Sequence, residues 1–162
     1  MRLWRLSAPA YADRLDGGYG RVNAGRWNRA GELITYTATV PSLCVLEKLV
    51  HIEDVDLFPN DLRLVGLEAP DDLPVTVLEE PEQLPGDWWR GIGLTQALGS
   101  AWHAARDIPL LRAPSVVARS RETADRNVVI NHQHPRAAEV RVVTIEPFEL
   151  DYRLLTRAPP TR

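Results

Sequence analysis

Thirteen prolines and ten glycines cut this 162-residue chain into short runs, and most of those runs are β-branched or aliphatic. Strand-like stretches lie at Leu3–Leu6, Leu33–Thr37, Leu62–Leu67, Val75–Leu78, Leu110–Ala118, Val128–Ile130 and Val140–Ile145. Helical spacing is confined to Pro41–His51 and Thr95–Arg106. The helices do not alternate with the strands as a doubly wound parallel sheet requires. The chain is therefore expected to be an α+β protein with mixed or antiparallel sheets and a few helices. Pro9–Gly31 and Glu79–Gly93 read as loops, and a long loop inside a compact domain usually carries function.

A chain of this length can bury one substantial core without disulfides or metal, and no repeat or linker suggests a second. Residues 1–155 are expected to form one domain, with Thr156–Arg162, which holds Pro159 and Pro160, as a frayed tail. The lone cysteine, Cys44, excludes an intramolecular disulfide and lies in an apolar helix, so it is expected in the core. A formal net charge of −3 argues against a surface built for polyanions, and no direct nucleic-acid partner is expected. All but one of the basic residues are arginine, Lys48 being the exception, which leaves many planar guanidiniums suited to bidentate phosphate binding. The opening Met1–Leu6 is too short for a secretory apolar region. No apolar run approaches the roughly 18 residues of a membrane span, so no membrane association and a cytoplasmic location are expected.

The helix expected over Pro41–His51 carries Leu43, Leu46 and Val50 at i, i+3 and i+7 along one stripe, and Glu47 falls on that stripe. Burying a carboxylate without a partner is costly. Glu47 is therefore either paired, at work in a reaction, or placed at the stripe's margin where it reaches water. His51, one turn on, could bond it as an ordinary helical neighbour.

Standard catalytic signatures are absent. Gly18, Gly20 and Gly25 miss the dinucleotide-binding spacing, and the Walker, nucleophile-elbow and zinc-helix patterns do not occur. His132 and His134 alternate as strand ligands could, but no third ligand is near them in sequence, and no metal is expected. Trp4, Trp27, Trp88, Trp89 and Trp102 are scattered and read mainly as packing. If Trp88 and Trp89 are exposed, they could mark an interface. Only Trp27, between Arg26 and Asn28 in a Gly-flanked loop, has a setting that suggests ligand contact.

The order of short motifs is more informative. The chain presents Trp4-Arg5, Gly25-Arg26-Trp27-Asn28-Arg29-Ala30-Gly31, Tyr36, Leu46-Glu47-Lys48-Leu49-Val50-His51, Pro114-Ser115-Val116-Val117, Asn127-Val128-Val129-Ile130-Asn131 and His134-Pro135. This series resembles the RES-domain family, named for its Arg, Glu and Ser positions, across about Leu3 to Leu155. Two departures are visible: Ala24-Gly25 stands where a glycine pair is usual, and Asn131-His132-Gln133-His134 replaces Asn-Pro-x-His. The resemblance implies a fold like that of the ADP-ribosyltransferase toxins and a toxin of a bacterial toxin–antitoxin pair that consumes NAD+. It also implies an Xre-like helix-turn-helix antitoxin that blocks the active site. The acceptor would be a protein such as phosphoribosyl pyrophosphate synthetase, or else water or phosphate.

Those residues suit that chemistry. Cleaving the bond between nicotinamide and ribose builds positive charge on the sugar, which a carboxylate stabilises, and Glu47 is the candidate. The ring already carries the positive charge before it leaves, so no strong general acid is required. Arg5 and Arg26 are candidates for the diphosphate, and either could instead be structural. Tyr36 and Trp27 offer aromatic faces. Ser115 could bond the ribose or orient Glu47 or an arginine, and Asn127, Asn131 and His134 could line the pocket. ADP-ribosyl transfer is favoured slightly over NAD+ hydrolysis or phosphorolysis. The alternatives of another class are a non-enzymatic nucleotide- or protein-binding module and a ribonuclease-type toxin, for which Lys48 and His51 are a thin acid/base set.

Overall fold

The computed structural model describes residues 1–52, 58–80, 82–120 and 122–154. The expected tail, Thr156–Arg162, and the end of the expected domain at Leu155 lie outside them. Seven strands form one mixed sheet: β1 (Arg2–Ser7), β2 (Ile34–Ala38), β3 (Arg63–Glu68), β4 (Val75–Val77), β5 (Leu110–Ala113), β6 (Asn127–Asn131) and β7 (Arg141–Pro147). Their order across the sheet is β4-β5-β6-β2-β1-β3-β7. Only β4 and β5 run parallel; every other neighbouring pair is antiparallel. Among the described residues three α-helices accompany the sheet: α1 (Gly18–Val22), α2 (Pro41–Leu49) and α3 (Gly93–Ala105). The α+β expectation holds, and the whole forms a single compact domain. Among the described residues no helix is long and apolar enough to cross a membrane.

Alternation along the strands divides the core into two sides. Leu3, Val65, Leu67, Leu110, Val128 and Ile130 pack on one face. Ile34, Leu111, Ala113 and Val129 point to the other, where Trp27, Trp88 and Trp102 cover them. On that second face Leu43 and Cys44 of α2 pack with Ala38, Trp4 and Leu6. Fully burying a Leu, Ile or Val contributes roughly 1.5–3 kcal/mol, so the fixed sides of these strands set the register.

Helix α2 begins on Pro41, whose missing amide proton is no loss at a first helical position. Its buried arc differs from the stripe read in the sequence. Leu46 is 40% exposed and Val50 57% exposed, whereas Leu43 and Cys44 are buried. At about 100° per residue Glu47 projects between Leu43 and Cys44, so it is central to the packed arc, and Leu46 lies outside it. The helix packs chiefly on β1 and β2, a contact too narrow to cover the broader stripe. Cys44 is in the core as expected, its thiol donating to the Trp4 carbonyl at 3.0 Å.

Other boundaries differ for local reasons. The strand expected over Leu110–Ala118 ends at Ala113, because Ser115 Oγ accepts the amides of Val117 and Ala118 at 2.9 and 3.2 Å and turns the chain. The Pro9–Gly31 segment contains a 3-10 turn at Pro9–Tyr11 and the short α1. Trp88 sits in a further 3-10 turn and is buried, and Trp89 is half-buried, so the pair forms no exposed aromatic patch.

Candidate active site

Glu47 reaches from α2 toward the end of β6 and the turn that follows β5. Its Oε1 accepts from Ser115 Oγ at 2.8 Å and from Asn127 Nδ2 at 2.6 Å. Ser115 is buried, and its oxygen already accepts two backbone amides, so its single proton is left for the carboxylate. Asn127 stands opposite Ala38 of β2. The carboxylate is thus held by two side chains from distant parts of the chain, and Oε2 accepts no hydrogen bond from the described residues. One oxygen is fixed and the other is available.

Two positions along β2 from Ala38, Tyr36 faces the same side. Its hydroxyl donates to Asn28 Oδ1 at 2.9 Å and accepts from the Trp27 amide at 2.9 Å. Burial pushes the Tyr36 hydroxyl well above the ordinary phenol range. The Trp27 amide opposes that shift, while the nearby Tyr19, Glu32 and Glu47 add to it, so Tyr36 is a neutral clamp. Above it Gly25 and Asn28 close a tight bridge with Arg26 and Trp27 at the tip. A Cβ on Gly25 would stand 2.7 Å from the Tyr36 hydroxyl oxygen, so glycine permits this approach. The buried Asn28 amide donates to the Asn23 and Arg29 carbonyls, each at 2.9 Å. From α3, Gln96 Nε2 donates to the Gly25 carbonyl at 3.0 Å and the Asn28 carbonyl at 3.3 Å. Gly99 lets the same helix lie directly against the Trp27 backbone. The turn presents Arg26, which donates from Nη1 to the Gly91 carbonyl at 3.2 Å and lies over the Trp88 ring at 5.8 Å.

A cleft of about 330 Å³ adjoins this cluster, lined in part by Trp88, Trp89, Pro114, Arg119 and Arg126. Pro114 and Arg126 immediately precede Ser115 and Asn127, so the cleft wall continues into the residues that hold Glu47. This volume is at the small end for ligand sites.

The structure brings Glu47, Ser115 and Asn127 together and sets Tyr36 and Arg26 on one shared scaffold. Arg5 lies elsewhere. Its Nη2 donates to the carbonyls of Tyr11, Ala12 and Arg14, pinning that loop, and burial lowers its pKa. Trp27 is 1% exposed, its ring 5.8 Å from that of Trp88, so it packs in the core. Asn131 is buried at the far end of β6, where Nδ2 donates to the His103 carbonyl at 3.0 Å and Oδ1 accepts the Gln133 amide. His132 Nε2 meets Thr35 Oγ1 at 2.8 Å, and His134 Nδ1 accepts the Arg136 amide. No group of three or more metal-ligating side chains occurs among the described residues. Nothing in the local sequence sets Gln96, Arg119 or Arg126 apart, and Asn28 is marked there only as a neighbour of Trp27.

Comparison with known proteins identifies the family of the chain. The family model described as RES domain matches residues 2–151. The chain is 38% identical over 155 residues to "Toxin Res" of Pseudomonas putida, covering 95% of this chain and 99% of the relative. It is 30% identical over 161 residues to the "Prs ADP-ribosylating toxin" of Sphingobium sp., covering 96% and 97%. Among solved structures, the Mycobacterium tuberculosis MbcT–MbcA toxin–antitoxin complex contains a chain of like fold. It has a TM-score of 0.67 at 20% identity, covering 95% of this chain and 86% of that one. The chain belongs to the RES domain family and is a homologue of its toxins.

Proposed function

We propose that this protein is the toxin of a toxin–antitoxin pair and cleaves NAD+ at the nicotinamide–ribose bond, passing ADP-ribose to a protein acceptor. The observation that carries the reading is the state of Glu47: Oε1 is locked by Ser115 and Asn127, and Oε2 is unengaged among the described residues. A carboxylate held in this way is preorganised to bind a ribose hydroxyl and to stabilise positive charge on the sugar without reorganising during the reaction. Its position beside a partly apolar cleft strengthens that interaction relative to water.

In this reading the bond from the anomeric carbon to the pyridinium nitrogen breaks, and its electron pair leaves with nicotinamide, which departs neutral. Glu47 faces the resulting ribosyl cation. A nucleophile on the acceptor then forms the new bond and releases its proton to solvent. Arg26 is assigned to the substrate's anionic groups, held in place by the Tyr36–Asn28 clamp. Ser115 and Asn127 are positioning residues for Glu47. A metal has no role in this scheme. The name of the Sphingobium relative supports a protein acceptor of the phosphoribosyl pyrophosphate synthetase type. The structural neighbour is a toxin bound to its antitoxin, which supports an antitoxin partner here; we take that partner to be Xre-like and to cover the cleft. The domain is assigned to residues 1–155 and its site of action to the cytoplasm.

The test is to incubate the purified, antitoxin-free protein with NAD+ and cell extract, following free nicotinamide by chromatography and protein mass shifts by mass spectrometry. Nicotinamide release with an ADP-ribose adduct on a defined protein is expected. Release without an adduct would replace transfer by hydrolysis or phosphorolysis. No release from either the native protein or its Glu47→Gln variant would remove the enzymatic reading.

A further inference from the structure

The sheet ends on two unlike edges. Strand β4 is three residues long and pairs in parallel with β5, whereas β7 runs over seven residues, Arg141–Pro147, on the outer side of β3. Among the described residues no backbone or side-chain group bonds its outer edge. An open strand of this length is a template for a further strand, and proteins usually blunt one with charges, a proline, a bulge or a cover. Here the charges and the proline stand at the ends. The middle is Val142-Val143-Thr144-Ile145, with Val143 41% and Ile145 44% exposed.

The register of β7 on β3 gives the side of the sheet that each residue takes. Arg141 stands opposite Glu68 and Glu146 opposite Leu64, four positions apart on β3 and therefore on one side. Val142, opposite Leu67, and Ile145, opposite Val65, take the other. Arg141 and Glu146 are an odd number of positions apart in sequence. They share a side because Val143 is an extra residue, bulged between the pairs Leu67–Val142 and Gly66–Thr144. Both are exposed, and neither forms an ion pair among the described residues. The strand thus carries a cation at its start and an anion at its end on one side, apolar residues on the other, and Thr144 at its middle.

We infer that β7 pairs antiparallel with β7 of a second copy of this chain, about a two-fold axis through Thr144. An axis perpendicular to the sheet reverses the strand and keeps each side of the sheet in place. With the bulge counted as one position, Arg141 stands opposite the partner's Glu146, Val142 and Val143 stand opposite the partner's Ile145, and Thr144 meets its own mate. Symmetry makes each unlike pair occur twice. One register therefore matches both the charges and the apolar residues, and moving the axis one position either way breaks both charge pairs. Strands β1 and β3 separate β7 from β2, so the pairing extends the sheet away from Glu47 and does not rest on the proposed reaction.

The experiment is sedimentation velocity on the purified chain over a range of concentrations, with Arg141→Glu, Glu146→Arg and the double exchange beside the native protein. Both positions are exposed, so the variants should fold, which circular dichroism checks. One strand pair is a small interface, so a concentration-dependent dimer of twice the 18.2 kDa chain mass is expected. Each single reversal sets like charges opposite one another at two places and should weaken dimerisation about tenfold. The double exchange should restore it. So should an equimolar mixture of the two single variants, in which every facing pair is again unlike. A native chain that stays monomeric at every concentration would overturn the inference and leave the edge to a strand from another protein. A dimer that neither reversal weakens, or a mixture no tighter than its components, would place the interface elsewhere and overturn it equally.

Discussion

Ser115 Oγ donates to Glu47 Oε1 at 2.8 Å while accepting the amides of Val117 and Ala118. A hydroxyl has one proton and two lone pairs, and here all three are committed. The turn after β5 therefore determines the direction of the hydrogen bond that orients the carboxylate.

Ser115→Ala should reduce the rate of nicotinamide release more than it alters substrate affinity. It removes one hydrogen bond to a charged group, worth about 1.5–3 kcal/mol, which corresponds to a fall in kcat of about ten- to a hundredfold. Steady-state kinetics would check this. A change confined to KM would mean that Ser115 binds substrate rather than orienting Glu47.

Tyr36→Phe removes both partners of its hydroxyl, leaving the Trp27 amide and Asn28 Oδ1 unsatisfied in a part-buried setting. The expected cost is about 1–3 kcal/mol of stability for each stranded group, moderated by any water that enters. The Arg26 turn should loosen, so KM should rise as the melting temperature falls. Thermal denaturation and kinetics on one preparation would separate the two effects. A variant with native melting and native KM would show that Tyr36 does not clamp the turn.

Cys44 is buried, and burial pushes its thiol up to about 12, with the Glu47 charge adding to the shift and hydrogen bonds to the backbone opposing it. The thiolate is the reactive form. Iodoacetamide at about pH 8, near the ordinary thiol range, should therefore leave the folded protein unlabelled and label it fully in denaturant, as read by intact mass. Rapid labelling of the native protein would contradict the packing of α2 on β1.

His132 supplies a pH dependence of stability. Burial lowers its pKa from 6.5 to about 4, with Asp16 opposing and Arg5 reinforcing the shift. The folded state holds this ring neutral, so the unfolded state binds the extra proton first. Its contribution is fully favourable above pH 6.5 and is lost as pH falls from 6.5 toward about 4. His132→Gln should flatten the melting-temperature profile in that window. A profile as steep as that of the native protein would assign the acid sensitivity to other groups.

The strands are readable in the sequence because β-branched runs bounded by Pro and Gly have few alternatives, and so is the start of α2, because Pro41 fits only a first turn. The end of β5 is not. It depends on Ser115 folding its hydroxyl back onto two amides, and a serine in a β-branched run carries no mark of that. The face of α2 differs from its sequence stripe for a related reason. Periodicity gives the spacing of apolar residues, but the width of the buried arc depends on how much sheet lies beneath the helix, and here that is chiefly β1 and β2.

The sequence by itself determined the fold class, the resemblance to the RES family and the identity of Glu47, Ser115 and Asn127 as site candidates, because residue types and their order along the chain are local information. Only the tertiary structure decided which candidates meet. Asn127 and Ser115 stand 80 and 68 positions from Glu47 in the chain, yet both donate to the same oxygen. Arg5, as attractive on paper as Arg26, lies instead against the loop carbonyls of Tyr11–Arg14. Strand alternation sends Trp4 and Arg5 to opposite sides of the sheet, and a guanidinium that donates to three loop carbonyls is committed to them before it can serve a ligand.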